Sequence, residues 1–332
     1  MNQARPSKKN IPSLAVIGPG ALGCLLASNL SIHGFPVVLV DYRSERAKRL
    51  SRTGITVLRD KDGITAFPPV SASSESVGPQ DWIIVLVKAT RTYDILDSLK
   101  HMVQPETIVL SLQNGIGHED ILSRAVRKEN IAIGVTSQGA TLLEEGKIIH
   151  AGKGLTRIGP AVRRESCARR LVLLAEIFSR VGWPASVVSD IRPDVWKKLI
   201  INSGINALSA LSGVSNGELL VYEESRKLME MAVSEVWHLS RRKGIDLGLS
   251  LDEAVEKVFE VCRATSDNRS SMLQDRIKRK TTEIEYINGA VCSMAGKYQM
   301  AAPVNELLTL LVNLNTRLGW KYPDLASAST NV

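Results

Sequence analysis

LAVIGPGALGCLLASNL, residues 14–30, passes from a short apolar run through glycines at 18, 20 and 23 into a helix-forming segment. The spacing is G-x-G-x-x-G. In a phosphate-binding turn each glycine has its own physical reason. Gly18 permits the tight turn, Gly20 lets the backbone approach a pyrophosphate, and Gly23 lets the following helix sit close to the strand. The helix opens at Ala21 and Leu22, after Pro19 and Gly20, and turns free N–H groups towards the phosphates. The pattern alone also occurs in glycine-punctuated turns. Context separates the two: the loop follows a strand and opens a helix. Asp41 then ends the next strand-like run 18 residues past Gly23, close to the roughly 20-residue offset of the ribose-binding position in dinucleotide folds.

A carboxylate at position 41 favours NAD(H), because it bonds a ribose 2′-hydroxyl and repels a 2′-phosphate. Arg43, two residues on, is placed to clamp a 2′-phosphate bidentately. The two residues point in opposite directions, so NADP(H) and NAD(H) both stay open at this point.

The 332 residues are enough for about two domains of ordinary size. Hydrophobic residues make up 44% and charged residues 23%, a globular composition. The net charge of +8 favours anionic small molecules. The basic residues are scattered and aromatics are only 5%, so the stripe with stacking rings that a nucleic-acid face needs is missing. Cys24, Cys167, Cys262 and Cys292 are far apart and form no C-x-x-C, which suits a reduced, cytoplasmic protein. The five histidines are isolated and no metal-ligand cluster is expected. The tail MNQARPSKKN lacks an apolar signal core, and no run reaches 18 apolar residues, so neither secretion nor a membrane span is expected.

Strand-like runs at 14–17, 37–40, 82–87, 107–112 and 131–135 alternate with helical stretches at 21–33, 45–51, 92–103 and 119–127. Continuous apolar strands alternating with helices indicate a parallel sheet covered on both faces. Residues 146–160, broken by Gly and Thr, read as a closing antiparallel piece. Past about 190 the strand signal fades, and 194–211, 217–243, 251–263, 270–296 and 303–318 read as helices. The expectation is a flexible tail over 1–12, an α/β N-terminal Rossmann-like dinucleotide-binding domain over 13–189, and an all-α C-terminal domain over 190–332. The segment around Pro184 and Pro193 is the candidate hinge, with a ligand cleft expected between the domains.

Polar residues interrupt this frame at telling places. Lys88 directly follows one apolar strand and Asn114 comes just after another, where open parallel sheets bind ligands. Lys88 suits an anion; Asn114 suits the nicotinamide ribose or a substrate oxygen. In DVWKKLIINSGINALSAL, residues 194–211, Lys198, Asn202 and Asn206 are spaced i, i+4, i+8 and share one face of an otherwise apolar helix. Such polar groups need partners, and a ligand is one. Asn216, Asn268 and Ser271 supply further polar groups. Glu283 is a carboxylate that would orient Lys198 or bond the nicotinamide amide, and it reads equally as an exposed helix residue beside Glu285; Lys198 and Glu283 are the candidate catalytic groups.

These motifs together resemble the ketopantoate reductase (2-dehydropantoate 2-reductase) family from residue 14 to about 318. The likeness rests on GPGALG, Lys88 after a strand, QNGIG with Asn114, WKKLIINSGINALSAL, NGELL, and above all DNRSSMLQDRIKRKTTEIEYINGAV. The resemblance implies NADPH-dependent reduction of the 2-oxo group of ketopantoate to (R)-pantoate, in pantothenate and coenzyme A synthesis. It implies Lys198 as proton donor, with Asn202, Asn206, Asn216, Asn268 and Ser271 on the substrate side. Gly18, Pro19, Gly20, Ala21, Leu22, Gly23, Lys88, Asn114, Ala140 (in SQGAT) and Glu283 match its cofactor side. The family often carries an arginine right after the second strand, whereas here Asp41 and Tyr42 precede Arg43. The expected partner is a small 2-oxo acid, with no nucleic acid, membrane or metal; the C-terminal helices are a candidate homodimer surface. Two other readings stand beside this one. The first is a reductase of the same fold acting on another 2-oxo acid or an imine. The second is a non-catalytic NADP sensor, which would need the glycine loop but not the Lys198–Asn202–Asn206 stripe.

Overall fold

The computed structural model describes residues 11–59, 62–162 and 165–320. Residues 1–10 of the expected tail lie outside these. The chain forms two compact units, one of the residues up to Gln113 with His118–Ile191, the other of Asn114–Gly117 with the chain from Arg192 on.

The first unit runs β1 (Leu14–Ile17), α1 (Ala21–Ile32), β2 (Val37–Val40), α2 (Ser44–Thr53), β3 (Ile55–Arg59), β4 (Asp62–Ala66), β5 (Val70–Ser71), α3 (Ser74–Val77) and β6 (Trp82–Val85). It continues through α4 (Leu96–Met102), β7 (Ile108–Ser111), α5 (His118–Leu122), β8 (Ile131–Thr136), β9 (Gly139–Glu144), β10 (Lys147–Gly152), β11 (Thr156–Pro160), α6 (Glu165–Arg180) and β12 (Ala185–Val187). The large sheet has the order β12-β11-β8-β7-β6-β1-β2-β5. It is parallel from β8 to β5, with β11 antiparallel to β8. Leu14 pairs with Val37 on one side and Trp82 on the other, so the chain steps from β1 to β2 and later returns to the opposite flank. That reversal between β1 and β6 is the switch point at which such sheets bind ligands.

The strands are continuous apolar runs because each feeds two cores. Leu14, Val16, Trp82 and Ile84 point into one cluster; Ala15, Ile17, Ile83 and Val85 point into the other. Helix α1 is buried from Gly23 to Leu30. It packs on the large sheet and also on a second, four-stranded sheet of order β4-β3-β10-β9. The expected antiparallel piece at 146–160 is therefore shared: β10 pairs antiparallel with β9 in the small sheet, while β11 joins the large one antiparallel to β8. The small sheet itself has no counterpart in the sequence reading.

The second unit contains α7 (Arg192–Ser212), α8 (Glu223–Arg242), α9 (Leu251–Ala264), α10 (Ser271–Ile277), α11 (Asn288–Lys297) and α12 (Pro303–Arg317). Pro193 sits in the first turn of α7, where its missing N–H costs no helical bond. Helix α7 is central: Trp196, Leu199, Ile200, Ile205 and Leu208 lie in a core with Met229, Val233, Val258 and Val312. A Cβ on Gly204 would come within 3.1 Å of Val233 and 3.2 Å of Val258, so the glycine sets how closely α8 and α9 approach.

The single helix expected over 270–296 is corrected to α10, a loop, a 3-10 turn at Ile284–Tyr286 and α11. α10 ends where Arg279 takes φ 50° and the Lys280 N–H returns to the Asp275 carbonyl at 2.8 Å; the interruption before α11 has a tertiary cause. The carbonyl of Tyr286 accepts the N–H of Ile116 at 3.1 Å instead of a helical N–H. Gly115, at φ 89°, passes so close that a Cβ would lie 2.0 Å from that same oxygen. The segment Asn114–Gly117 is stitched in this way to the second unit.

A buried polar network holds α12 in place. The Glu235 carboxylate accepts the N–H groups of Val304 at 2.8 Å and Asn305 at 2.9 Å, at the start of α12. The Asn305 amide donates to Glu235 at 2.7 Å and to the Ala232 carbonyl at 3.1 Å, and its oxygen accepts from Asn288 at 2.9 Å. Asn288 also reaches the Ser203 carbonyl of α7 at 3.1 Å. Asn305→Ala strands these buried partners and is expected to cost about 1–3 kcal/mol. The check is the urea midpoint of the purified variant against the parent protein.

Candidate active site

Two of the three loop glycines are demanded by the chain itself. Gly18 has φ 111°, and a Cβ on it would lie 2.6 Å from the Val87 nitrogen, in the loop after β6. A Cβ on Gly23 would lie 1.9 Å from the Gly18 carbonyl oxygen. Gly20 differs: it is exposed, and a Cβ there would meet nothing within 4 Å. It caps α1 without a side-chain hydrogen bond, and the first helical bond runs from Cys24 N–H to its carbonyl at 2.9 Å. The open backbone at Gly20 and the uncapped start of a 12-residue helix together form an anion cradle that a side chain would fill. These residues fit a dinucleotide pyrophosphate.

The neighbouring strand ends are held in register with this loop. Gln113, after β7, donates to the Val87 carbonyl at 3.1 Å and to Thr92 at 2.8 Å, and its oxygen accepts from Ser111 at 2.9 Å. The half-buried Lys88 follows in that pinned loop. Gln113 escaped the sequence reading, which passed over it for its neighbour Asn114. Asp41 ends β2 as expected but is fully buried. Its oxygens accept Nε and Nη2 of Arg46 and, at 3.0 Å, the N–H of Arg43. The Asp41 bond raises the already high pKa of the Arg46 guanidinium. Ala140 lies on β9, paired with His150.

The second unit brings together a different group. Lys198 and Asn202 are half-buried on one face of α7, and Asn206 is buried one turn on. Burial pushes the Lys198 ammonium down to about 8, while the Glu283 carboxylate opposes that shift. Asn114 donates to Glu283 Oε2 at 3.1 Å. Asn114 follows β7 in sequence, yet its partner is this carboxylate just before the 3-10 turn. Asn216 donates through Nδ2 to Thr265 at 2.9 Å, and its N–H donates to the Asn268 carbonyl at 2.9 Å. Its own Oδ1 is buried without a hydrogen-bond partner among the described residues. Asn268 and Ser271 are exposed, and Ser270, not Ser271, caps α10 through the N–H of Leu273 at 3.1 Å.

Chemically, the second group is a cation of lowered pKa beside a carboxylate and several amides. It can donate a proton to a developing alkoxide and bind carboxylate or hydroxyl groups. Among the described residues no group of three or more His, Cys, Asp or Glu is placed to hold a metal ion, and no helix is long and apolar enough to cross a membrane.

Known proteins resemble this chain over most of its length. The profile described as "Ketopantoate reductase PanE/ApbA" matches residues 14–163, and its C-terminal counterpart matches residues 190–315. A 2-dehydropantoate 2-reductase of Halobacterium salinarum is 33% identical over 308 residues, covering 92% of this chain and 99% of the relative. That of Archaeoglobus fulgidus is 32% identical over 305 residues, covering 91% and 97%. Among solved structures, D-mandelate dehydrogenase with NADH and anilino(oxo)acetate superposes with TM-score 0.87 at 28% identity, covering 92% of this chain and 99% of that one. The 2-dehydropantoate 2-reductase of Geobacter metallireducens gives TM-score 0.85 at 26% identity, covering 91% and 99%.

The glycines separate experimentally. Gly20→Ala is expected to leave the denaturation midpoint unchanged but to weaken dinucleotide binding about tenfold or more, because the methyl fills the cradle. Gly23→Ala is expected to lower the midpoint, because the methyl must displace the backbone of Gly18. Calorimetric titration and urea unfolding of both variants provide the check.

Proposed function

The chain belongs to the ketopantoate reductase PanE/ApbA family, and we propose that it reduces the 2-oxo group of 2-dehydropantoate to pantoate with NADPH, NADH being the alternative donor. The observation that carries this reading is the Lys198 ammonium, lowered to about 8 beside Glu283, which is itself bonded to Asn114. Reduction of a ketone leaves negative charge on oxygen, and a proton must reach it. A free lysine, with a pKa near 10.4, is a weak acid for that task. Burial strengthens it as an acid, and the Glu283 carboxylate opposes that shift. Glu283, fixed by Asn114, orients the ammonium.

Bound at the glycine loop and Lys88, the reduced nicotinamide dinucleotide supplies the hydride. Asn202 and Asn206, one and two turns along α7 from Lys198, offer amides to the substrate carboxylate and hydroxyl. Asn268 and Ser271 add exposed polar groups, and Asn216 adds a buried acceptor whose unmet bond a substrate hydroxyl would relieve. Ala140 is assigned to the cofactor side on the family pattern alone.

A second reading, another 2-oxo acid as substrate, is favoured by the likeness to D-mandelate dehydrogenase. Initial rates with 2-dehydropantoate, an aromatic 2-oxo acid and pyruvate decide between them, and turnover of any of the three excludes a silent sensor. The proposal also keeps the chain in the cytoplasm, supported by four free cysteines, three of them buried. It further includes a homodimer through the C-terminal helices. Its support is an exposed leucine stripe on α12 and just beyond: Leu307, Leu310, Leu311, Leu314 and Leu318, with Leu310 60% and Leu314 52% exposed.

Lys198→Ala is expected to cut kcat by about 100-fold or more with dinucleotide affinity kept, while Lys197→Ala stays near the parent. The acid must hold its proton, so kcat is expected to fall as pH rises through about 8. That limb should vanish in Lys198→Ala; stopped-flow pH profiles check both points. For assembly, Leu310→Glu combined with Leu314→Glu is expected to convert a dimer to monomer in light scattering after gel filtration.

A further inference from the structure

The turn that leads out of β8 is tied down residue by residue. Thr136 ends the strand, and Ser137 and Gln138 carry the chain to Gly139, where β9 begins. The Ser137 N–H donates to the Leu155 carbonyl at 3.1 Å, and the Gln138 N–H donates to the Thr136 hydroxyl at 3.1 Å. That hydroxyl shares a 2.8 Å bond with the Thr156 hydroxyl, which also accepts the indole N–H of the buried Trp183 at 2.8 Å. The Gln138 side chain is buried too, and its Nε2 donates to the Gly154 carbonyl at 2.7 Å. A Cβ on Gly154 would lie 2.4 Å from the Ser137 carbonyl oxygen, so the two backbones are in direct contact.

His150 closes the network. It is the cross-strand partner of Ala140 in the β9–β10 pair, beside a register shift between His150 and Gly152. Bulges of this kind re-aim a side chain. Here the half-buried ring reaches Gln138 Oε1, 2.9 Å from its Nε2. The Gly154 carbonyl can only accept, so it takes the amide NH2 of Gln138 and leaves the amide oxygen facing His150. His150 is therefore the donor of that pair, through Nε2–H. Gln138, His150 and Ala140 form a closed figure: side chain to side chain, then strand to strand, then two residues back along the chain.

This figure stands at the carboxyl edge of the large sheet. β8 is the parallel neighbour of β7, and the loops after β7, β6 and β1 carry Gln113, Lys88 and the glycine cradle. Ala140 and Leu142 of β9 pack on the same core cluster as Ala21 and Leu22 at the start of α1. In such sheets the adenosine ribose belongs at the end of β2, on one side of β1. The nicotinamide half then extends to the other side, over β6, β7 and β8. Burying a glutamine costs stability unless both ends of its amide are bonded, and an apolar side chain would fill the space without that demand. What the glutamine adds is a fixed backbone at Gly139 and Ala140.

We propose that Gln138 and His150 are positioning residues for the reduced dinucleotide: their hydrogen bond fixes the Gly139–Ala140 backbone against which the nicotinamide end lies. This rests on the dinucleotide reading of the glycine loop and on the cofactor-side assignment of Ala140, not on the identity of the 2-oxo acid. Both residues act through the backbone of Ala140. A backbone already fixed loses little freedom when the nicotinamide docks.

The test is calorimetric titration of the purified protein, without substrate, against NADPH, NADH and two fragments that lack the nicotinamide, 2′-phospho-ADP-ribose and ADP-ribose. His150→Gln keeps an N–H donor where Nε2 stands, whereas the shorter His150→Asn places its donor near the Nδ1 position and loses the bond. His150→Asn and Gln138→Met are expected to weaken the dinucleotides about tenfold and the fragments less than about threefold. His150→Gln is expected to stay within about threefold of the parent for all four ligands. In the two weakened variants the fluorescence of the bound dihydronicotinamide is expected to move back towards that of the free cofactor. Urea midpoints establish that each variant is folded; if Gln138→Met is not, the His150 pair decides. Equal losses of dinucleotide and fragment overturn the proposal, as does a loss in His150→Gln equal to that in His150→Asn. Parent-like binding by a folded His150→Asn overturns this proposal alone. A parent that binds none of the four ligands overturns the dinucleotide reading together with it.

Discussion

The first unit depends on a backbone-to-backbone contact that only glycine allows. The Gly18 carbonyl sits where a Cβ on Gly23 would be, and Gly18 itself lies against the backbone of Leu86 and Val87. Any side chain at either position would lift α1 from β1 or push the loop after β6 away. With both glycines in place, the ends of β1 and β6 meet at the point where the strand order reverses. Gln113 then ties the loop after β7 to the same place. The start of α1 carries no side-chain cap, and Gly20 leaves open space there, so its N–H groups remain for a ligand.

The second unit has an opposite problem. A helix as buried as α7 would be most stable if it were wholly apolar, yet it carries a lysine and two asparagines on one face. The cost appears in Lys198, whose ammonium is driven down to about 8. Burying polar groups without full compensation is tolerable where a reaction uses them. The surrounding helices provide rigidity through purely structural bonds, with Asn288 and Asn305 joining α7, α8, α11 and α12. The same amide chemistry thus serves as scaffold in Asn288 and Asn305 and as candidate site in Asn202 and Asn206.

Burial and charge also act together at the end of β2. Asp41 lies beneath the surface because Arg46, five residues later on the first turns of α2, folds back over it. Position 41 therefore does not behave as its residue type suggests. What it presents outward is the positive charge of its partner and the ring of Tyr42.

Periodicity and residue type alone determined a good deal here. The runs at 14–17 and 37–40 become β1 and β2 with those bounds, because a strand buried on both faces must be apolar at every position. The glycine loop, the Lys198 stripe and four of the C-terminal helices are equally visible, since helical spacing and glycine's missing Cβ are local properties. Tertiary structure decided the rest. The small sheet joins segments 55–66 and 139–152, too far apart in sequence to signal one another. The interruption just before α11 meets an N–H supplied by Ile116, and Asn114 meets Glu283, 169 residues away. The fate of Asp41 depends on which arginine reaches it first. Local pattern sets where a chain is apolar, extended or helical. Which polar group meets which is a matter of distance in space, and only the folded chain brings those groups together.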